Sequence, residues 1–203
     1  MRIAILIYGR LNKCVEHYNN ILEHIGKHND IDFFLSSDNS SESLLNDFIH
    51  LYKPIAYNNE QIRYDYDLAQ YPRRIETNMP NMICHFINKN RVLILLEEYI
   101  SRENIHYDCV VSLRIDCVFQ TTFNFNNLED STIYIPSGND HTGINDQIAY
   151  GKMDVMTKYN SINVRDLLEK KLSIAHPESL TLANILFNKM CIKRIILHYH
   201  LDR

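Results

Sequence analysis

Tyr107-Asp-Cys-Val-Val-Ser-Leu-Arg-Ile-Asp116 is an apolar run that stops on an arginine and an aspartate two residues apart. Val110, Val111 and Leu113 read as a strand buried in a sheet, and residues spaced by two at its carboxyl end project to the same side. Arg114 and Asp116 are therefore neighbours at a strand tip, the place where open α/β sheets bind ligands. A carboxylate there can hold a divalent cation. A surface ion pair is the plainer account of an isolated Arg-x-Asp.

On either side of this strand the chain alternates strand and helix. Ile3 to Tyr8 reads as a buried strand ending at Gly9-Arg10, and Leu11 to Ile25 carries apolar residues at helical spacing. Asp32 to Ser37 is a second strand, Asp38 to Glu42 offers several N-caps for a helix through Ile49, and Lys53 to Tyr57 is a third strand. This βαβαβ order predicts a parallel sheet with a nucleotide-sized crevice at its carboxyl edge. Asn58 to Pro80 is polar, tyrosine-rich and without a period. Asn81 to Ile100 is a long helix with Ile83, Phe86, Ile87, Val92, Leu93 and Leu96 on one face, and it feeds the central strand. Beyond Asp116 come a strand from Thr132 to Ile135, a turn-rich loop from Pro136 to Gly143, extended structure from Asp146 to Gly151, and helix until Ile192 to His200. The fold expected is α/β, with a Rossmann-like, mostly parallel central sheet flanked by helices, in one domain over residues 1–203.

Composition narrows the function classes. With 203 residues, 45% of them hydrophobic, the chain can bury a substantial core without disulfides. Its net charge of −4 disfavours a nucleic-acid partner held through phosphates. The five cysteines are odd in number and form no C-x-x-C; Cys109 and Cys117 read as buried free thiols, which predicts a reducing compartment. Ile3 to Ile7 is too short for a signal-peptide core or a membrane span, so a cytoplasmic protein with no integral membrane segment is expected. Neither G-x-x-x-x-G-K-[ST] nor G-x-G-x-x-G occurs.

Tyr107-Asp108…Arg114-x-Asp116, Ile133-Tyr134-Ile135-Pro136, Asn145-Asp146-Gln147-Ile148-Ala149-Tyr150-Gly151 and His176-Pro177-Glu178 follow one another in an order and spacing that resembles small GT-A-fold glycosyltransferases. These occur in large DNA viruses, including chlorella viruses, and in bacterial polysaccharide loci. The resemblance covers most of the chain. It implies a GT-A-like domain with a nucleotide-binding half over about 1–118 and an acceptor-side half over about 119–203. It further implies transfer of a sugar from a nucleotide diphosphate sugar, commonly a UDP-sugar, to a glycan or glycoprotein acceptor. Mn²⁺ or Mg²⁺ would bridge the diphosphate, and a viral member would act in the host cytoplasm. A non-catalytic nucleotide- or glycan-binding domain of the same fold is the alternative.

The metal motif of that fold is Asp-x-Asp, and here Arg114 stands in place of its first aspartate. Asp116 alone carries over as a ligand, and Arg114 is open to two roles: a fork on diphosphate or nucleotide, or a brace for a neighbouring carboxylate. Such enzymes often complete the metal shell with a histidine near the carboxyl terminus, and His198 and His200 alternate to one face if extended. Tyr8, Gly9 and Arg10, at the end of the first strand, are expected at the nucleotide, with Ser36, Ser37 and Asp38 at the base or ribose unless they cap a helix. Arg73, Arg74, Asn88 and Lys89 are further phosphate candidates whose alternative is a solvated charge cluster. Asp146 is the expected base for the acceptor hydroxyl, or else a turn residue, with Asp140 and His141 behind it. Glu178 is expected in the first turn of a helix.

Overall fold

The computed structural model describes residues 1–64, 67 and 70–202. Its strands are β1 (Arg2–Tyr8), β2 (Asp30–Ser36), β3 (Ala56–Asn58), β4 (Cys109–Arg114), β5 (Cys117–Phe119), β6 (Thr132–Pro136), β7 (Ile148–Gly151), β8 (Cys191–Ile195) and β9 (Tyr199–Leu201). The helices are α1 (Cys14–Ile21), α2 (Glu42–Tyr52), α3 (Met79–Glu103), α4 (Met153–Asn160), α5 (Val164–Glu169) and α6 (Pro177–Phe187). Seven strands form one sheet in the order β3-β2-β1-β4-β7-β6-β8, and β5 pairs with β9 in a separate ribbon. The sheet is parallel except for β7, which runs against both β4 and β6. The two halves expected from the sequence thus share one continuous sheet.

Alternation along the central strands builds a core on each face. Ile3, Ile5 and Ile7 of β1, with Val111 and Leu113 of β4, join Ile21, Phe48 and Tyr52 from α1 and α2. Ala4, Leu6 and Tyr8, with Val110, pack against Val92 and Leu96 of α3 and Val155, Met156 and Tyr159 of α4. A third cluster joins Met82, Ile83 and Phe86 near the start of α3 to α5 and α6. Cys109 and Cys117 are buried free thiols, as the sequence predicts. No helix among the described residues is long and apolar enough to cross a membrane.

The boundaries differ from expectation where local chemistry intervenes. The segment from Leu11 to Ile25 is not one helix: Lys13 takes a left-handed conformation, α1 starts at Cys14, and a π-helical turn over Leu22–Gly26 replaces its end. Lys53 to Tyr57 is not a strand throughout, because Lys53 ends α2 in the left-handed region (φ 46°) and pairing begins at Ala56. Helix α3 extends beyond the expected limits at both ends. Asn78 accepts from Asn81 N–H, Pro80 occupies the first turn, and Asn104 closes the helix with φ 51°.

Gly151 ends β7 where the chain turns into α4. A Cβ there would lie 2.7 Å from Val155 Cγ1 and 2.9 Å from the Thr132 carbonyl oxygen, so neither neighbour can yield cheaply. Gly151→Ala is expected to destabilise the fold by about 1–3 kcal/mol. Urea unfolding followed by circular dichroism reads this as a lower midpoint at unchanged slope; an unchanged midpoint would show that the β7–α4 corner is looser than described.

Candidate functional site

β1 neighbours β2 on one side and β4 on the other, so the strand order reverses between β1 and β4. In open α/β sheets a crevice opens outside the carboxyl ends at such a point. Because β7 runs antiparallel, its amino end reaches the same edge and brings Asp146 and Gln147 to it. A concave pocket of about 260 Å³ lies there, with Arg114, Asp146 and Gln147 on the sheet side. Asn78, Asn81, Met82 and His85 of the α3 entry form one wall, and His176, Pro177 and Glu178 of the α6 entry form another.

The loop carrying Asp146 is tied from several directions. Tyr8 Oη donates to the Asp146 carbonyl at 3.0 Å and lies 3.3 Å from that of Gln147, while Arg114 N–H donates to the Gln147 carbonyl at 3.1 Å. Tyr199 of β9 donates to Gln147 Oε1 and accepts from Asn145 Nδ2, both at 2.7 Å. Asp140 accepts from Asn145 N–H at 3.0 Å and from Arg194 at 2.8 Å, so it braces the loop. Gly143 lies hard against α6: a Cβ there would come within 2.1 Å of the Glu178 backbone, and Ile144 N–H donates to the Glu178 carbonyl at 3.1 Å. The loop therefore fixes Asp146 and Glu178 together.

Burial controls the ionisation of the pocket. It raises the Asp146 carboxyl, with Lys89 and Arg114 pulling the other way. It pushes Glu178 up to about 7, and the charge of Asp146 adds to the push. It holds His85 well below the ordinary imidazole value, reinforced by Lys89 and Arg114. His85 Nε2 lies 3.3 Å from Asp146 Oδ2, and His176 Nδ1 lies 3.0 Å from Glu178 Oε2, but neither approach has hydrogen-bond alignment. His176 is lowered by burial and by Arg74. Lys89 is fully buried, and its Nζ sits 3.8 Å from the Tyr159 ring centre and 5.6 Å from that of Tyr8 with no hydrogen-bond partner. Burial brings this amine down to about 7 although Asp146 opposes the shift.

Arg114, Asp146, His141 and Glu178 of the sequence candidates come together in the pocket. Arg10 is exposed and reaches Asn81 Oδ1 at 3.5 Å, and Gly9, at φ 111°, donates to the Ser36 carbonyl at 3.1 Å. Arg74 straps the rim, donating to the His141 carbonyl at 3.0 Å and pairing with Glu76. Other placements correct the sequence reading. Tyr8 is buried and supports the Asp146 loop, Ser36 donates to the buried Asn88, and the Ser37 hydroxyl pairs with Ser40. Asp38 accepts from Ile62 N–H at 2.8 Å, while Ser41 caps α2. Lys89 belongs to the interior and not to a solvated cluster. His85 was not anticipated, although it lies four residues before Lys89 and so on the same helix face.

The residues do not fit the divalent-cation site implied by the resemblance. Both Asp116 oxygens are held in the Arg114 fork, at 3.0 Å to Nε and 2.5 Å to Nη2. His198 and His200 do not join Asp116: both are exposed, and they flank Tyr199, whose side chain turns inward to Gln147. Among the described residues no group of three or more His, Cys, Asp or Glu side chains is placed to hold a metal ion.

The raised Glu178 makes a signed prediction. The folded state holds its proton up to about 7 whereas the unfolded chain releases it near 4.5, so its contribution is present below 4.5 and lost as pH rises through 7. Wild type should therefore lose stability relative to Glu178→Gln between those values, with a flat difference above. Urea midpoints of both proteins across that range test this; parallel curves would contradict the assignment.

A search of curated proteins finds no match. The family model described as Domain of unknown function (DUF7796) matches residues 17–175, a span that includes α3, β4 and the Asp146 loop and stops just short of α6. The match covers well over half of the chain, which therefore belongs to the DUF7796 family.

Proposed function

We propose that this chain is a glycosyltransferase that moves a sugar from a nucleotide diphosphate sugar, a UDP-sugar, to a hydroxyl of a glycan or glycoprotein acceptor. The observation that carries the reading is a buried carboxylate, Asp146, in the wall of a pocket at the β1–β4 switch point that the cationic Arg114 also lines. The sheet supports it as well: a parallel βαβαβ half joined through one reversed strand to a second half resembles the GT-A arrangement.

On this reading the acceptor oxygen attacks the anomeric carbon, the bond from that carbon to the diphosphate oxygen breaks, and the acceptor proton passes to Asp146. Charge then develops on the departing diphosphate, where fixed donors of the strand ends stabilise it. Gly9 leaves the β1 end open to close approach, since nothing lies within 4 Å of where its Cβ would be. Arg10 and the first turn of α3 stand beside it. Glu178 adds a second carboxyl group to the acceptor side of the pocket.

Nucleotide release measured against a panel of nucleotide sugars and saccharide acceptors tests the reading. Asp146→Asn is expected to lose on the order of 10²–10⁴ in turnover while its UDP affinity in calorimetry stays near wild type. Full turnover in Asp146→Asn would remove its role as base. Absence of UDP binding and of turnover with every donor would remove the function.

A further inference from the structure

We propose that nucleotide diphosphate binding by this chain requires no divalent cation, because the Arg114 guanidinium, locked in place by Asp116, supplies the positive charge at the strand end. This inference rests on the nucleotide-sugar reading.

A divalent cation at this edge would need several oxygen or nitrogen ligands gathered around a carboxylate whose charge is not already compensated, and no such group of three is present among the described residues. The Asp116 carboxylate instead accepts two parallel N–H donors from Arg114, the bidentate geometry in which guanidinium and carboxylate match best. The pair is mostly shielded, with side-chain exposures of 28% for Arg114 and 19% for Asp116. A cation on the remaining lone pairs of Asp116 would share that carboxylate with Arg114, and the adjacent guanidinium charge would oppose it in the same partly buried place. Burial works against the charge on Arg114, yet Asp116 outweighs it and keeps the guanidinium protonated.

The fork uses one edge of the guanidinium. Nε and Nη2 are committed to Asp116, while Nη1 has no hydrogen-bond partner among the described residues, and Arg114 lines the pocket. The Arg114 side chain is held against rotation by Asp116, and its backbone N–H is anchored to the Gln147 carbonyl. A cation fixed at a strand tip, with three of its five N–H donors uncommitted, can meet a phosphate oxygen without reorganisation. Arg10, with the entry of the 25-residue helix α3 beside it, adds positive potential at the same edge. Asp116 is then a positioning residue that orients Arg114, and the Arg-x-Asp sequence is a cation and its brace.

The test is calorimetric titration of UDP into the full chain in excess EDTA and again in saturating Mn²⁺. Affinities that agree within about threefold are expected, a difference well under the tenfold step that marks a distinct interaction. Arg114→Lys, which keeps the charge but not the fork, should weaken UDP binding in EDTA by about tenfold or more. Asp116→Asn removes the carboxylate charge and one arm of the fork that orients Arg114, so it should also weaken UDP binding in EDTA, by about threefold or more; thermal melts of both variants establish folding. If Mn²⁺ tightens wild-type binding tenfold or more and Asp116→Asn abolishes that gain, this inference is overturned while the nucleotide-sugar reading stands. Failure of the wild type to bind UDP in either condition overturns both.

Discussion

The pairing of β4 with a strand running against it is the constraint on which the site depends. Parallel strands deliver only their carboxyl ends to the ligand edge of a sheet, and those ends are separated from one another by whole crossover connections. Reversing β7 brings the amino end of a strand, and the loop before it, to the same edge. Arg114, at the last position of β4, and Asp146, two residues before β7, thereby reach one pocket although 32 positions separate them in the chain. The Arg114 N–H to Gln147 carbonyl bond continues the ladder past the last paired residues, and Tyr8 adds a second tie from β1.

That arrangement places charge where a stable fold would avoid it. A fully buried lysine with no hydrogen-bond partner is costly, and Lys89 is retained beside Tyr159, whose ring face offers partial compensation. The His85 and His176 ring nitrogens and Glu178 Oε2 are also buried without aligned partners. Four of the buried unsatisfied side chains among the described residues, Thr77, His85, His176 and Glu178, line the one pocket, as expected of a surface built for a ligand and not for maximal stability.

Much of the scaffold was legible in the sequence. The apolar runs of β1 and β4, the capping region before α2 and the extended Tyr134 and Tyr150 segments all follow from local chemistry that acts within a few residues. The order β4-β7-β6-β8 was not, since nothing in strands of four to six residues encodes which neighbour they choose or in which direction. The site divides along the same line. Asp146 and Arg114 could be read because they stand at element ends, where a charged residue is conspicuous. Lys89 sat in plain view at an apolar position of α3, three residues after Phe86 and three before Val92, but a polar label hid its burial. The turning of Tyr199 inward, which sends His198 and His200 out, depends on the β5–β9 ribbon and could not be read from alternation alone.

The two pocket carboxyls differ in a way that bears on the proposed chemistry. Both are raised by burial, but Asp146 has Lys89 and Arg114 to offset it, whereas Glu178 feels Asp146 as an added negative charge. Glu178 therefore holds its proton up to about 7. Asp146, offset by two cations, is the better placed of the two to accept a hydrogen bond, and Glu178 to donate one. An attacking hydroxyl needs an acceptor for its proton, and an adjacent sugar hydroxyl or ring oxygen needs a donor. Environments that separate two carboxyls in this way assign them different tasks without any difference in residue chemistry. His85, held well below the ordinary imidazole value beside Asp146, leaves Lys89 and Arg114 as the leading cations that act on that carboxylate.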